Sequence, residues 1–415
     1  MKFIHCSDLH IDSPLLGLER YEGAPADAMR AAPRGAMKNI VELALENEVD
    51  LVVIAGDIFD GDWRDFNTGL FFTSQLSRLA AKNIPVALIK GNHDAASEIS
   101  KSLRLPGNVT VLSHRKPDTK RYDDIGVAVH GQSFAERAVL DDLAANYPAA
   151  VKGMFNLALL HTNLGGNALH DPYAPTTLDI LRSKGYDYWA LGHIHARQVI
   201  SEMSPRVVYC GNSQGRHARE LGAKGCELVT VDGDRLTSEF VPTDVVRWVQ
   251  IELDIAGLND LDALLDAARA KLLGEIERAG GRVVATRFSF GGAGKVHSDL
   301  VSAPEAAVAQ IRNMAIECSD GNAWVEKIKH DTRPVYDRKA LEARDDPIGE
   351  LVRIAKQLEA TPAELQGLAS DEFGALLEKL PPEIRDELKL ADLDQLKAAL
   401  RDAEALVLGR LKVTP

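Results

Sequence analysis

Short apolar runs alternate with longer amphipathic stretches over the first 245 residues of the chain. The runs are KFIH (2–5), DLVVIAG (50–56), PVALIK (85–90), GVAVHG (126–131), NLALLH (156–161), YDYWALG (186–192) and RVVYCG (206–211). Each is rich in Val, Ile, Leu or aromatic residues and is bounded by Gly, Asp, Asn or Pro. Runs this short and this continuously apolar predict strands covered on both faces. Between them, AMKNIVELALENE (36–48) and NTGLFFTSQLSRLAAKN (67–83) repeat apolar residues at i, i+3 and i+4 and predict helices. Strands alternating with helices predict an α/β architecture for residues 1–245.

The pattern changes at residue 246. RWVQIELDIAG (247–257) predicts a strand, LNDLDALLDAARAKLLGEIERAG (258–280) a helix and RVVATRFSFGG (282–292) a second strand. Ser302, Pro304 and Glu305 form a capping box with proline near the first turn, predicting a further helix. NAWVEKIKH (322–330) reads as a closing strand. This β-α-β-α-β order predicts a smaller α+β cap domain over 246–330. The charged, proline-bearing stretch 331–347 reads as a linker, and 348–415 as a helical region. There Ile348, Leu351, Val352, Ala355 and Leu358 form one apolar stripe, and Leu393, Leu396, Leu400, Ala403 and Val407 another. Thr361, Pro362 and Glu364 supply a second capping box.

Composition narrows the function classes. With 45% hydrophobic and 26% charged residues among 415, the chain is an ordinary globular one of two or three domains. Its 61 acidic residues outnumber 48 basic ones, for a formal net charge of −13, so a whole-molecule basic footprint for nucleic acid is excluded. Any polyanion must be held by a local patch, a metal site or a partner chain. Cys6, Cys210, Cys226 and Cys318 show no CxxC spacing, which points to a reducing compartment without a disulfide framework or zinc ribbon. MKFIHCSD meets a carboxylate too early for a signal peptide, and no apolar stretch reaches membrane-spanning length. A cytoplasmic protein that does not enter a membrane is expected.

The residues that follow the apolar runs carry the chemistry. Asp8 and His10 follow the first, Asp57 the second, and Asn92, His93 and Asp94 the third; His161 ends the fifth, and His193 and His195 follow the sixth. In open α/β sheets the C-terminal strand ends are the ligand-binding edge. A lone histidine there is most simply a hydrogen-bonded core residue, but seven metal-competent side chains in this order point to a metal site. Imidazoles, carboxylates and one amide suit manganese, iron or zinc, whereas calcium and magnesium favour all-oxygen cages. Two divalent ions would supply +4 against −2 from Asp8 and Asp57, leaving about +2 to attract phosphate. Metals roughly 3.5–4 Å apart can generate hydroxide near neutral pH and clamp the attacking and leaving oxygens. Hydrolysis of a phosphate ester is the implied reaction.

The order DxH…GD…GNHD…H…GHxH resembles the calcineurin-like metallophosphoesterase superfamily. Within it the chain is similar to SbcD-type DNA-repair nucleases, and especially to their YhaO-like bacterial branch, through FIHCSDLHIDSPL, GHIHARQV and GNSQGRHARELGAKG (211–225). The resemblance covers about residues 2–245, continues less strongly over 246–330 and is weak beyond. It implies an α/β sandwich in which Asp8, His10, Asp57 and His195 surround one metal, while Asp57 bridges to a second held by Asn92, His161 and His193. The cofactor it implies is a pair of divalent ions, Mn2+ first, with Fe or Zn as alternatives. Hydroxide generated at the metals would attack phosphorus, His93 would assist the leaving group, and Asp94 would orient His93. DNA is the implied substrate, and a separate SMC-like coiled-coil ATPase the implied partner; homodimers are common among such proteins. In archaeal and eukaryotic members a histidine associated with exonuclease action ends the GDxF motif. This chain has Asp60 there, a carboxylate able to hold a ligand histidine in place.

Other features divide between functional and structural readings. Arg216, His217 and Arg219 could grip a nucleic-acid backbone or be solvated charges on a glycine-rich turn. His170 and Tyr173 read as surface-loop residues, and His5, His130 and Cys6 as core. GGAGK (291–295) lacks the first glycine and the Ser or Thr of a phosphate loop, so no ATPase motor is expected. The C-terminal helices could dock on a coiled coil or close over a core of their own. Beside DNA hydrolysis stand a small-molecule phosphoesterase, such as a nucleotide phosphodiesterase, and a scaffold subunit for an ATPase.

Overall fold

The computed structural model describes residues 1–13, 25–60, 66–96, 103–165, 171–377, 379 and 392–411; His170 lies outside them. Two compact units emerge. The first comprises Met1–Val249 with Glu275–Thr286 and Asn322–Glu326, and the second Gln250–Gly274, Arg287–Gly321 and Lys327–Pro415.

The chain opens with β1 (Lys2–Cys6), α1 (Ala26–Glu46), β2 (Leu51–Ala55), α2 (Phe66–Ala80), β3 (Val86–Ile89), the short α3 (Asn92–Ala96) and β4 (Val109–Val111). It continues through β5 (Asp118–Tyr122), β6 (Val127–Gly131), β7 (Phe155–His161), α4 (Leu178–Ser183), β8 (Tyr188–Gly192), β9 (Gln198–Ser201), β10 (Arg206–Tyr209), β11 (Gly225–Asp232) and β12 (Arg235–Pro242). One six-stranded sheet has the order β12-β11-β1-β2-β3-β4 and the other β5-β6-β7-β8-β10-β9. Strands β1 to β4 run parallel, as do β6, β7, β8 and β10. The outer strands pair antiparallel: β11 with β1 and with β12, β5 with β6, and β9 with β10.

Side-chain alternation explains the continuous apolar runs. Phe3, Leu51, Val53, Ala55, Ala87 and Ile89 of the first sheet share one core with Val127, Leu157, Leu159, Tyr188 and Ala190 of the second. The intervening Ile4, Cys6, Val52, Ile54, Val86 and Leu88 pack on Met37, Ile40, Val41, Phe72 and Leu76 of α1 and α2. On the second sheet Ala158, Leu160, Trp189 and Leu191 pack outward on Tyr147, Leu181 and Tyr186. Both faces of each inner strand are covered, so most positions are apolar, with hydrogen-bonded exceptions. His5 and His130 are core residues as expected. His5 Nδ1 lies 3.0 Å from Tyr188 Oη, and His130 contacts Asn156 Oδ1 at 3.0 Å and Thr119 Oγ1 at 2.9 Å.

Beyond residue 245 come β13 (Val246–Asp254), α5 (Leu261–Ala279), β14 (Val283–Ala293), α6 (His297–Ser302), α7 (Pro304–Cys318) and β15 (Ala323–Arg333), with β14 central in a three-stranded sheet. The Ser302 capping box does not form. Ser302 ends α6, Ala303 precedes α7 without a side-chain cap, and Pro304 alone marks the first turn. In the stretch read as a linker, β15 runs on to Arg333 and a helix α8 (Arg338–Glu342) forms, capped by the Asp337 carboxylate on the Lys339 and Ala340 N–H groups. Then follow α9 (Pro347–Ala360), α10 (Pro362–Leu377) and α11 (Leu393–Arg410).

The stripe on α9 faces inward, Val352 forming a small core with Leu341 and Leu408 and with Ile348 and Leu351 against it. On α11 the buried face differs from the expected one: Leu396, Glu404 and Leu408 are buried, while Ala403 and Val407 are exposed. An apolar contact and an ion pair both favour this face: Leu408 packs on Leu341 and Val352 beside the Arg338–Glu404 pair. Arg338 donates to both Glu404 carboxylate oxygens, at 3.2 and 2.9 Å, and draws that acid into the interface.

Buried and exposed leucines predict unequal costs. Leu159→Ala, between the sheets, should lower stability by about 2–5 kcal/mol in urea denaturation. Leu70→Ala, exposed on α2, should change it by no more than about 0.5 kcal/mol.

Candidate metal centre

The centre is built from abrupt turns at the ends of parallel strands. Asp8, His10, Asp57 and His193 have φ of +50°, +42°, +51° and +97°, left-handed conformations for residues other than glycine. Each costs about 1 kcal/mol or more and persists only where the surroundings enforce it. Here the Asp8 N–H donates to Gly56 O (3.0 Å), the His10 N–H to Asp57 O (3.1 Å) and the Ile11 N–H to Ile58 O (3.1 Å), zipping the turns after β1 and β2 together.

Glycines allow the close approach. A Cβ on Gly56 would lie 2.6 Å from His161 Nδ1; one on Gly91 would overlap the Asp57 carboxylate; one on Gly192 would overlap Ala55 O and lie 2.9 Å from His161 Nδ1. The glycine that opens GD, GNHD and GHIH is thus a steric requirement: at each motif a side chain would displace a neighbouring strand end or its functional group.

The seven candidate residues cluster, His193 through its backbone N–H and a ring 5.2 Å from that of His161. Asp57 Oδ2 lies 3.4 Å from His161 Nε2 and 3.9 Å from His10 Nε2, and its Oδ1 accepts the His93 N–H at 3.0 Å. Asn92 Oδ1 is 2.9 Å from His161 Nε2. His10 Nε2 and His195 Nε2 face each other at 3.3 Å, with Asp8 Oδ1 3.7 Å from the latter. The Asp8 carboxylate also accepts the His193 N–H, at 3.2 and 3.1 Å. The atoms of Asp8, His10 and His195, and those of Asp8, Asp57 and His161, lie within 4.8 Å of one another.

All four candidate ligand histidines have one ring nitrogen beside an oxygen. His161 Nδ1 donates to Ala55 O (2.9 Å), His195 Nδ1 to Glu220 Oε1 (2.7 Å) and His193 Nε2 to Asp171 O (3.2 Å), while His10 Nδ1 is 3.3 Å from Asp60 Oδ1. In the neutral imidazole this leaves the second nitrogen with a lone pair for a metal; in metal-free His161 a proton takes that place. Two such lone pairs, on His10 and His195, point at one another. Around His161 Nε2 stand only acceptors. Each arrangement suits a shared cation, so the donor set fits divalent metals.

The carboxylate beside His93 is Asp60, not Asp94. Asp60 Oδ1 lies 3.3 Å from His93 Nδ1 as well as from His10 Nδ1. Asp94, expected to orient His93, accepts the N–H groups of Ile58 (3.0 Å), Phe59 (2.9 Å) and Gly91 (3.0 Å), tying the turn after β2 to the start of α3. Glu220, behind His195, was not anticipated; its only mark in the sequence is its place four residues after Arg216. Of the three basic-loop residues, Arg216 is turned inward, whereas His217 and Arg219 are exposed. Tyr173, expected on the surface, is half-buried with its ring 5.5 Å from that of His193.

Burial and charge together set the titration of these groups. Burial disfavours charged His161, yet the Asp57 carboxylate outweighs it and lifts the imidazole to about 9. Asp57 is likewise opposed by burial but is held well below the usual carboxylate range, chiefly by His161. Burial and then the nearby Asp57 charge push Asp94 up to about 7. Burial, with His161 as a like charge, lowers His193 to about 4.

The His161–Asp57 pair has a signed consequence. An imidazole raised from 6.5 to about 9 contributes stability that is complete below 6.5 and lost as pH climbs through 9. Asp94, pushed up to about 7, is half-ionised at pH 7 and adds a smaller loss of the same sign just above it. The chelator-treated chain should therefore lose about 1–3 kcal/mol between pH 7 and 9 in denaturant titrations. Most of that loss should vanish in Asp57→Asn. Gly91→Ala, which pushes on Asp57, should abolish the same pH dependence while the sheets remain folded by circular dichroism.

Comparison with known proteins places this geometry. Residues 1–197 match the calcineurin-like phosphoesterase family, and residues 248–333 match the middle domain of metallophosphoesterase YhaO. The chain is 35% identical over 267 residues to the uncharacterized metallophosphoesterase YhaO of Bacillus subtilis, covering 64% of this chain and 65% of that protein. It is 29% identical over 293 residues to the DNA double-strand break repair protein Mre11 of Methanopyrus kandleri, covering 62% of this chain and 60% of that protein. The matched regions thus span less than two thirds of either relative. Strand-end donors in the DxH…GD…GNHD…H…GHxH order, within a family match that runs from residue 1 to residue 197, identify that region as a calcineurin-like metallophosphoesterase domain, with a YhaO-type middle domain at residues 248–333.

Proposed function

We propose that this chain is a two-metal phosphodiesterase that hydrolyses DNA. The observation that carries this reading is the Asp57 carboxylate, whose Oδ2 lies near both His161 Nε2 (3.4 Å) and His10 Nε2 (3.9 Å). That is the arrangement a bridging ligand needs. Asp8, His10 and His195 would complete one ligand group, and Asn92, His161 and His193 the other. Divalent ions bound there, Mn2+ first by donor type, would supply Lewis acidity and a nucleophile at neutral pH.

The remaining chemistry belongs to the chain. His93 lies in the first turn of α3 with its N–H on Asp57 and its Nδ1 beside Asp60, so its Nε2 is left to serve the leaving oxygen as a proton donor. Asp94 holds the backbone on which both His93 and Asp57 depend. DNA as substrate is supported by the Mre11 relative, described as a double-strand break repair protein. The net charge of −13 implies few phosphate contacts and weak, salt-sensitive binding to duplex by this chain alone. A coiled-coil ATPase remains the partner that the family resemblance suggests, and exposed Leu368 and Phe373 on α10 are consistent with such a contact.

Metal analysis and nuclease assays test the reading together. The wild-type chain should bind about two Mn2+ ions and release nucleotides from a single-stranded oligonucleotide. His93→Ala should keep its metals and lose about 10²–10⁴-fold in rate; Asp57→Ala should lose both. Turnover of small phosphoesters with no attack on DNA would favour a small-molecule phosphoesterase. Full biological function in Asp57→Ala would favour a scaffold.

A further inference from the structure

Arg216 lies on the loop after β10, outside the seven donor positions, yet its guanidinium hydrogen-bonds Asp60 and lies within ion-pair distance of Glu220, two carboxylates that face the candidate histidines. Its Nη1 donates to Asp60 Oδ1 at 3.2 Å, and its Nε lies 3.8 Å from Glu220 Oε1. Its backbone N–H donates to Glu220 Oε2 at 2.6 Å. Both acids are committed to histidines: Asp60 Oδ1 lies 3.3 Å from the Nδ1 atoms of His10 and His93, and Glu220 Oε1 lies 2.7 Å from His195 Nδ1. One side chain thus stands a single residue away from three imidazoles.

The loop that presents Arg216 is firmly held. Trp248 Nε1 donates to Gly215 O at 3.1 Å, and Gln214 Nε2 to Val246 O at 2.6 Å. Gly215 is required at this point, because a Cβ there would lie 2.9 Å from both Glu220 O and Trp248 Cδ1. Asn212 Nδ2 adds a bond to Glu220 Oε2 at 2.9 Å. A phosphate grip would be expected on the exposed side of this loop, where His217 and Arg219 stand; Arg216 points the other way, with only 19% of its side chain accessible.

We propose that Arg216 is a positioning residue that clamps Asp60 and Glu220 and, through them, sets the orientation of His10, His93 and His195. The proposal rests on the metal-centre reading above. A guanidinium suits the task because its fork presents N–H groups along two edges; a lysine ammonium is a single point charge and would serve one carboxylate at a time. Outer partners of this kind commonly govern metal affinity as well as rate.

The test uses the full chain, Mn2+ titration by calorimetry, and two substrates: bis(p-nitrophenyl) phosphate and a single-stranded oligonucleotide. Arg216→Gln should weaken Mn2+ binding by about 10–100-fold. It should lower kcat on both substrates while leaving KM within about twofold. Arg216→Lys should recover only a minor part of either loss. The double variant of Arg216→Gln with Asp60→Asn should be no worse than the worse single one, because both remove the same support.

Wild-type Mn2+ affinity in both Arg216 variants, with a raised KM confined to the oligonucleotide, would overturn the proposal in favour of a phosphate grip. If Arg216→Gln does not melt cooperatively, Arg216→Lys decides: weakened Mn2+ binding supports the proposal and unchanged binding sinks it. A wild-type chain that cleaves the small diester but not DNA would refute DNA as substrate and leave the Arg216 result intact. A wild-type chain that turns over neither leaves the Mn2+ titrations to decide.

Discussion

The carboxylate of Asp57 ties the two sheets together at their shared edge. One oxygen faces His161 from the end of β7 and His10 from the turn after β1; the other accepts the N–H of His93 at the start of α3. A carboxylate this deeply buried would cost several kcal/mol if left alone. Here imidazoles and a backbone donor surround it. Their approach in turn demands the left-handed turns at Asp8, His10 and Asp57 and the bare glycines at 56, 91 and 192. Strain, missing side chains and buried charge are therefore aspects of a single constraint.

Around that point the donors form an inner and an outer layer. Asp8, Asp57 and Asn92 direct oxygens inward with the free nitrogens of His10, His161 and His195. Asp60, Glu220 and the carbonyls of Ala55 and Asp171 hold the opposite ring edges. The outer layer fixes tautomers, and the inner layer gathers nitrogens and negative charge that suit divalent cations. An acidic chain can thus present a local attraction for phosphate that its overall charge conceals.

Legibility in the sequence followed the range of the interactions. Strands β1 to β3 and β6 to β8 were readable because burial on both faces leaves an unbroken apolar run, and their following residues declared the donor set. The Ser302 capping box failed because Pro304 starts α7 directly while Ser302 closes the preceding helix. On α11 the apolar spacing pointed to Ala403 and Val407, but the packing of Leu408 and the bond from Arg338 to Glu404, 66 residues away in sequence, turned a different face inward. Asp94 looked like a partner for its neighbour His93; the free N–H groups of the turn after β2 claimed it instead.

Local order along the chain determined the α/β architecture and marked the seven candidate donors and the chemistry proposed for them, since strand periodicity and side-chain type are written residue by residue. Which carboxylate serves which imidazole, that Glu220 stands behind His195, and that Arg216 faces inward rather than toward solvent were decided only by the fold. Those choices depend on distances of a few ångströms between groups tens to hundreds of positions apart, and no spacing along a single strand or helix encodes them.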